Sequence, residues 1–125
     1  MTLSAAEVIE RIEATYPQLS SVLHDEIVEG LTHLQIAEFS RLTQQQIDEH
    51  DCDGFQRTCR LFIELWDNAV PAVINALNVS FLEHLVFEDE TILRRWAYDG
   101  MPERMRVAYE EMQLHNRRIH GQENA

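Results

Sequence analysis

The chain has 125 residues, of which 22 are Asp or Glu and ten are Arg, with no Lys, so its formal net charge is −12. Apolar residues make up 45%, which is too many for a disordered chain, and the length suits one domain. The charge argues against nucleic-acid binding and against an anionic membrane surface, because both would repel the chain. A basic protein would be attracted instead. The alternative is that the charge only keeps the protein soluble.

The sequence gives no sign of export or of membrane insertion. Residues 1–10 lack the basic and apolar regions of a secretory signal, and no apolar run approaches the roughly 20 residues that span a bilayer. Cys52 and Cys59 would lie about 10 Å apart along one helix, too far for a disulfide. Two free thiols are typical of a reducing compartment, so we expect a cytoplasmic protein.

The beginning of the chain predicts two helices separated by a proline. Ser4 and Glu7 form a capping box that starts the first helix. Pro17 ends it, because the residue before proline is disfavoured in the α region. A second helix is expected to begin near Ser20 and to end at Gly30, which can cap a helix C-terminus. Its apolar face would hold Leu23, Ile27 and Leu31.

A long third helix is predicted next. Thr32 and Gln35 form a second capping box at its start, and the glutamine run 44–46 is interpreted as its polar face. One continuous helix through Gly30 would cost about 1 kcal/mol relative to Ala, so we favour a break there. The third helix is expected to run up to a turn at residues 51–54.

The second half of the chain predicts further helices joined by short links. The helix at 72–87 is apolar on most sides, which is typical of a central helix covered by its neighbours. The acidic residues 88–90 would start the next helix and Gly100 would end it. Pro102 would open the last helix, and residues 121–125 are expected to form a frayed tail.

Strand-like alternation is missing throughout the sequence. We therefore predict an all-α fold, a single-domain antiparallel bundle of six or seven helices that spans residues 1–125. Superhelical stacking of helix pairs is an open alternative within this class.

Motifs for metal binding and catalysis are incomplete. Residues 49–60 approach the spacing of a calcium loop, but Arg60 occupies the position that needs a bidentate carboxylate. The contiguous residues 50–53 do not supply the tetrahedral ligands of zinc. Phosphate-binding loops and nucleophile elbows are missing, and Cys59 among apolar neighbours would be inert. We expect no metal, no cofactor and no catalytic residue.

Two polar residues fall on the apolar stripe of the predicted central helix. On a helical wheel, Asn78 and His84 lie beside Leu77 and Phe81. Both are expected to be buried and hydrogen-bonded, because an unsatisfied buried group costs about 1–3 kcal/mol. Glu88, one turn beyond His84, is a candidate partner. These three polar residues form either a structural network or a small polar pocket.

Trp66 and Trp96 each lie towards the end of an apolar helix. A tryptophan in that position either packs in the core, with its indole N–H reaching an acceptor at the edge, or is exposed and anchors an interface. Both residues are therefore candidate interface residues.

A resemblance to known proteins rests on residues 75–89, followed by Trp96 and by the Met101-Pro102 pair. This part of the chain resembles a family of small, acidic, uncharacterised bacterial proteins, and the resemblance covers mainly the C-terminal half. It implies a helical, stand-alone protein of the bacterial cytoplasm. It brings no catalytic or binding residues with it.

Two functions from different classes remain after these considerations. The first is a non-catalytic cytoplasmic interaction module that binds another protein, a basic one, as immunity-type proteins do. The second is an enzyme or small-ligand binder with a polar pocket around Asn78, His84 and Glu88. A solvent-open pocket lined by these residues would favour the second, and a contiguous acidic or apolar surface patch would favour the first. Self-association is left open.

Overall fold

A computed structural model of the protein describes residues 2–87 and 94–123, with side chains placed as far as residue 118 in the last helix. In these ranges the chain forms seven α-helices and no β-strand, which confirms the all-α class. None of the described helices is long and apolar enough to cross a lipid bilayer. The helices are α1 (Ala5–Thr15), α2 (Ser20–Leu23), α3 (Thr32–Asp48), α4 (Cys52–Asn68), α5 (Pro71–Ala76), α6 (Arg95–Gly100) and α7 (Glu103–Glu123).

The first helix, α1, begins and ends where the sequence predicts. Ser4 Oγ accepts the backbone N–H of Glu7, and Glu7 Oε1 accepts the backbone N–H of Ser4, both at 3.2 Å. The capping box is therefore complete. Pro17 begins a single turn of 3-10 helix, Pro17–Leu19, which leads into α2.

The second helix is much shorter than predicted. It has four residues, and residues 24–30 form turns instead of helix. Asp25 Oδ1 accepts the N–H of Ile27 at 2.9 Å, a local bond that competes with helical hydrogen bonding. Gly30 has φ +82°, so the favoured break at this glycine is confirmed. The expected helix cap at Gly30 is wrong, because α2 ends at Leu23 and His24 is its C-cap. The apolar face predicted for this helix is wrong beyond its first turn, because Ile27 and Leu31 are exposed.

The start of α3 also differs from the prediction. Leu31 occupies the N-cap and supplies no side-chain hydrogen bond, and Thr32 is already helical, so the second capping box is wrong. Gln35 points inward instead. Its Nε2 donates to the Leu23 carbonyl at 2.9 Å, which satisfies a carbonyl at the end of α2.

The turn between α3 and α4 is a Schellman motif in which a histidine takes the left-handed position. His50 has φ +56°. Its N–H donates to the Ile47 carbonyl at 3.2 Å, and the Asp51 N–H donates to the Gln46 carbonyl at 2.9 Å. Asp51 then caps α4 through the Gly54 N–H at 3.0 Å. The turn therefore lies earlier than predicted, and Gly54 sits in the first turn of α4.

The glutamine run 44–46 is more than the polar face that the sequence predicts. Gln44 pairs with the backbone of Val86 as a neighbouring strand would, since its Oε1 accepts the N–H at 2.9 Å and its Nε2 donates to the carbonyl at 3.0 Å. Gln46 is buried. It closes a ring of hydrogen bonds that joins α3 to the end of α1 and to α4.

This buried ring has three members, Tyr16, Gln46 and Thr58. Gln46 Nε2 donates to the Tyr16 hydroxyl at 3.3 Å, and Thr58 Oγ1 donates to Gln46 Oε1 at 2.7 Å. The two hydroxyls lie 2.5 Å apart. Because the single hydroxyl proton of Thr58 is used for Gln46, the Tyr16 proton is shared between Thr58 Oγ1 and the Gly54 carbonyl, which lies 3.2 Å from the Tyr16 hydroxyl. Closed rings of this kind are cooperative in a low-dielectric interior.

The predicted central helix is divided into three pieces. α5 is followed by a π-helix at Leu77–Phe81 and a 3-10 turn at Leu82–His84. The segment is central, as predicted, because Phe81 packs 4.7 Å from the ring of Phe39 on α3 and 5.0 Å from that of Phe62 on α4. A π-turn holds an extra residue, so it rotates everything that follows. His84 leaves the apolar stripe and is exposed.

In the C-terminal part of the chain, two helix boundaries lie where the sequence predicts. α6 ends at Gly100, and α7 begins directly after Pro102. The predicted helix start at residues 88–90 lies outside the described residues. α7 is helical to residue 123, past the point at which the predicted tail begins.

Candidate protein-interaction surface

The predicted polar pocket lies only partly within the described chain. His84 is exposed, and Asn78 is half-buried on the π-helix, with its Oδ1 buried and without a hydrogen-bond partner among the described residues. The expectation that both side chains are buried and hydrogen-bonded is therefore wrong. Glu88 is outside the described residues, so the three-residue pocket itself stays a prediction.

His84 lines an open cleft of about 290 Å³ between α3 and the π-helix. Ser80, which is buried, forms part of its wall, and its Oγ lies 2.7 Å from Nδ1 of His33. In a catalytic serine–histidine pair the serine is the nucleophile, and a third group orients the histidine that activates it. No carboxylate among the described side chains bonds the other ring nitrogen of His33. Ser40 Oγ donates to the Phe81 carbonyl at 3.1 Å, so these bonds hold the π-helix against α3.

The two candidate tryptophans have different surroundings. Trp96 is half-buried and stacks on the ring of His50, with centroids 4.3 Å apart and planes at 2°. Its indole N–H is buried and has no acceptor within the described part of the chain. Trp66 is half-buried beneath the guanidinium of Arg104 at 5.7 Å, and Arg104 also pairs with Asp67. Trp66 borders an open groove along α7, whereas Trp96 is part of the packing.

The two cysteines have different surroundings. Both are free, Cys52 exposed and Cys59 buried, and burial raises the pKa of the Cys59 thiol to about 12. That thiol stays protonated at neutral pH. Within residues 2–87 and 94–118, no three His, Cys, Asp or Glu side chains lie close enough together to hold a metal ion.

Three large apolar side chains are exposed within eight residues of one another. Ile27 is 76% exposed, Leu31 52% and Leu34 46%. The acidic residues Asp25, Glu26 and Glu29 are interspersed with them and are also exposed. We call residues 25–34, which comprise the turns after α2 and the first residues of α3, the acidic–apolar loop. The sequence predicts two of its apolar residues to be buried, and only the short α2 reveals that they are at the surface.

A histidine ties this loop to α1. His24 Nε2 lies 2.7 Å from Glu13 Oε2, and Nδ1 lies 3.5 Å from Glu29 Oε1. Ser20 Oγ donates to the same Glu13 oxygen at 2.7 Å. The hydrogen bond from Ser20 holds the pKa of Glu13 below its usual value, and the hydrogen bond to Glu13 raises the pKa of His24.

A cleft of about 370 Å³ separates α1 from the acidic–apolar loop. Its α1 side includes the apolar residues Ala5, Ala6 and Ile9, together with carboxylates of the same helix. Glu29 and Gly30 line it from the loop side. The cleft is therefore apolar at one wall and has three carboxylates around it, of which Glu13 and Glu29 are bridged by His24 and Glu10 is not. The aliphatic stem of a Lys or Arg side chain suits the wall, and its cationic head suits Glu10.

The charge is distributed unevenly along the described chain. Residues 2–53 contain eleven Asp or Glu and two Arg, a net charge of −9. Residues 103–118 contain three Glu and four Arg, a net charge of +1. The acidic–apolar loop therefore lies in the acidic half, and α7 is close to neutral.

Comparison with known families places the chain in one of them. A family described as a domain of unknown function, DUF7674, matches residues 9–116. No curated protein and no solved structure matches the chain. The expectation of an uncharacterised family is confirmed, and the match extends over both halves of the sequence. Because the matched residues include most of α1, all of α2 to α6 and most of α7, the chain belongs to the DUF7674 family.

Proposed function

We propose that this protein is a non-catalytic, cytoplasmic interaction module of bacterial origin, immunity-like in binding a basic protein, and that the acidic–apolar loop is its docking surface. The observation that carries the proposal is the exposure of Ile27, Leu31 and Leu34 beside three acidic residues. Cytoplasmic placement is supported by the two free cysteines, one of them exposed. The bacterial origin rests on the resemblance alone.

The partner that fits this surface is a basic amphipathic helix. Its apolar face would cover Ile27 and Leu31, because an amphipathic helix binds by burying its apolar face against apolar side chains of its partner. Its Lys or Arg side chains would face Glu26 and enter the cleft beside Glu29. The −9 charge of residues 2–53 would attract such a helix and raise its association rate.

The small-ligand alternative has weaker support. The cleft beside His84 is open, which a ligand site requires, but Asn78 does not line it. Two polar side chains of its wall, Ser80 and Ser40, are used to attach the π-helix to α3, through His33 and the Phe81 carbonyl respectively. We therefore keep the polar pocket as the second candidate.

The docking surface can be tested with a synthetic probe. A 20-residue amphipathic helix of Leu and Lys, labelled for fluorescence polarisation, should bind the wild-type protein, and the affinity should fall with added salt. The Ile27→Ser, Leu31→Ser double variant removes two apolar anchors, each worth roughly 1 kcal/mol or more, so binding should weaken at least about tenfold.

Two controls separate docking from general attraction to an acidic protein. Val86→Ser removes an apolar side chain that is 45% exposed but lies outside the acidic–apolar loop, and it should leave the affinity unchanged. A Leu and Glu peptide of the same length should not bind. Equal affinity of the wild type and the double serine variant would show that the peptide binds by charge alone, and would refute this docking surface.

A further inference from the structure

The outward face of α7 exposes two apolar side chains one heptad apart. Val107 is 50% exposed and Leu114 is 44% exposed. Shallow grooves flank Val107 on both sides, one of about 400 Å³ towards Trp66 and one of about 360 Å³ towards Tyr98. An apolar ridge with a hollow on each side is the surface that knobs-into-holes packing of a second helix uses.

The two ends of this face have opposite charges. Glu103 lies at the N-terminal end and Arg118 towards the C-terminal end, and both are exposed. Within the described residues neither forms an ion pair. On a helical wheel, Glu103, Val107, Leu114 and Arg118 fall within about 60° of one another. We call these four residues the α7 stripe. Counted from its midpoint, between residues 110 and 111, Glu103 is as far away as Arg118, and Val107 is as far away as Leu114.

We propose that this face binds a second copy of the chain as an antiparallel helix pair with a two-fold axis at the midpoint of the stripe. In that register Glu103 of each copy faces Arg118 of the other, and Val107 faces Leu114. A two-fold dimer needs a surface that is complementary to itself, and this stripe is complementary in both charge and apolar content. The inference concerns a different face from the acidic–apolar loop and does not rest on the proposed docking.

The local charge allows two acidic chains to meet here. Residues 103–118 have a net charge of +1 on a chain of −12, so this face avoids the repulsion that the acidic half would impose. Glu110 and Glu111 are the exception, because they lie beside the two-fold axis and face their own copies. The Tyr98 hydroxyl donates to Glu110 Oε1 at 2.6 Å, which stabilises one of these carboxylates. The remaining repulsion makes the expected dimer weak and dependent on concentration.

Charge reversal tests the antiparallel register directly. The Glu103→Arg variant places like charges at both ends of its own dimer, and so does the Arg118→Glu variant. In sedimentation equilibrium, each single variant should dimerise roughly fivefold or more weakly than the wild type. An equimolar mixture of the two has opposite charges at both ends, so it should form a heterodimer of about wild-type affinity. Arg57→Glu, an exposed change on α4, is the control and should not alter dimerisation.

Two further variants test the apolar contact and the axis. Leu114→Asp should abolish dimerisation, with helicity by circular dichroism unchanged because the residue is exposed. The Glu110→Gln, Glu111→Gln variant should dimerise more tightly than the wild type. A wild-type chain that is monomeric at every concentration up to its solubility limit, a mixture that does not recover affinity, or a Leu114→Asp dimer as tight as the wild-type dimer would each overturn the proposal.

Discussion

At the scale of single residues, His24 is the group whose charge bears on the candidate surface. It bridges Glu13 on α1 and Glu29 in the acidic–apolar loop. The pKa of His24 is raised by its hydrogen bond to Glu13, so the protonated form is favoured in the folded state. The loop is therefore held most firmly when His24 carries its charge.

The sign of the resulting pH dependence follows from linkage. A raised folded-state pKa stabilises the protein fully below the unfolded value of 6.5, and this stabilisation is lost as the pH rises through the folded value. Thermal melts should therefore show His24→Gln below the wild type at pH 6 and nearer to it at pH 8. His115→Gln, an exposed change on α7, is the control. Its difference in melting temperature from the wild type should not become smaller between pH 6 and pH 8. A difference in melting temperature between wild type and His24→Gln that is constant with pH would contradict a stabilising ion pair between His24 and Glu13.

His50 shows how one residue can serve two opposing demands. Its left-handed backbone, φ +56°, favours glycine, but its ring stacks on Trp96 at 4.3 Å. Both His50→Ala and His50→Gly lose the ring contact with Trp96. Only the glycine variant removes the steric cost of the left-handed backbone conformation. We expect His50→Gly to be more stable than His50→Ala by about 1 kcal/mol in urea unfolding. If the alanine variant is equally stable, the Schellman geometry does not hold in solution.

At the scale of helices, a polar ring and an aromatic cluster join α3 to its neighbours. Tyr16, Gln46 and Thr58 link three helices through side chains alone. Phe81 joins the π-helix to α3 and α4 through ring contacts. Directional hydrogen bonds fix the register of the helices, because a slip of one helix would leave buried polar atoms unsatisfied.

The contribution of the hydrogen-bonded ring to the free energy of unfolding can be measured separately from that of a single buried hydroxyl. Thr58→Val leaves Gln46 Oε1 without its donor, while the Tyr16 hydroxyl keeps the Gly54 carbonyl as an acceptor at 3.2 Å, so we expect a loss of about 1–3 kcal/mol in the free energy of unfolding. Thr43 is the matched control, because it is fully buried and its Oγ1 donates only to the Phe39 carbonyl of its own helix, at 2.9 Å. Thr43→Val should cost clearly less, and equal losses would show that the ring adds nothing.

At the scale of the whole molecule, the two candidate surfaces lie in parts of the chain with different net charge. The acidic–apolar loop belongs to the half of the chain with a net charge of −9, and the stripe on α7 belongs to a segment of +1. A dimer through α7 would leave both loops free to bind. If the acidic–apolar loop is the docking surface, the two loops of such a dimer would raise the avidity for a partner that presents two basic helices, without any new contact.

Several starts and ends of helices were determined by the local sequence. The capping box of Ser4 and Glu7, the stop before Pro17, the break at Gly30 and the helix end at Gly100 all lie where the sequence predicts. These signals act within one turn of helix, because a cap or a proline changes hydrogen bonds only to near neighbours. The same reasoning predicted the second capping box at Thr32, where no side-chain hydrogen bond forms.

The burial of particular side chains was decided by the tertiary structure. Ile27 continues the apolar spacing of α2, yet no described helix covers it, while Gln46 lies in a polar run and is buried between helices. His84 belongs to the apolar stripe only if the helix keeps 3.6 residues per turn, and the π-turn before it changes that period. Whether a face meets another helix depends on contacts between residues far apart in the chain, which periodicity along one segment does not contain.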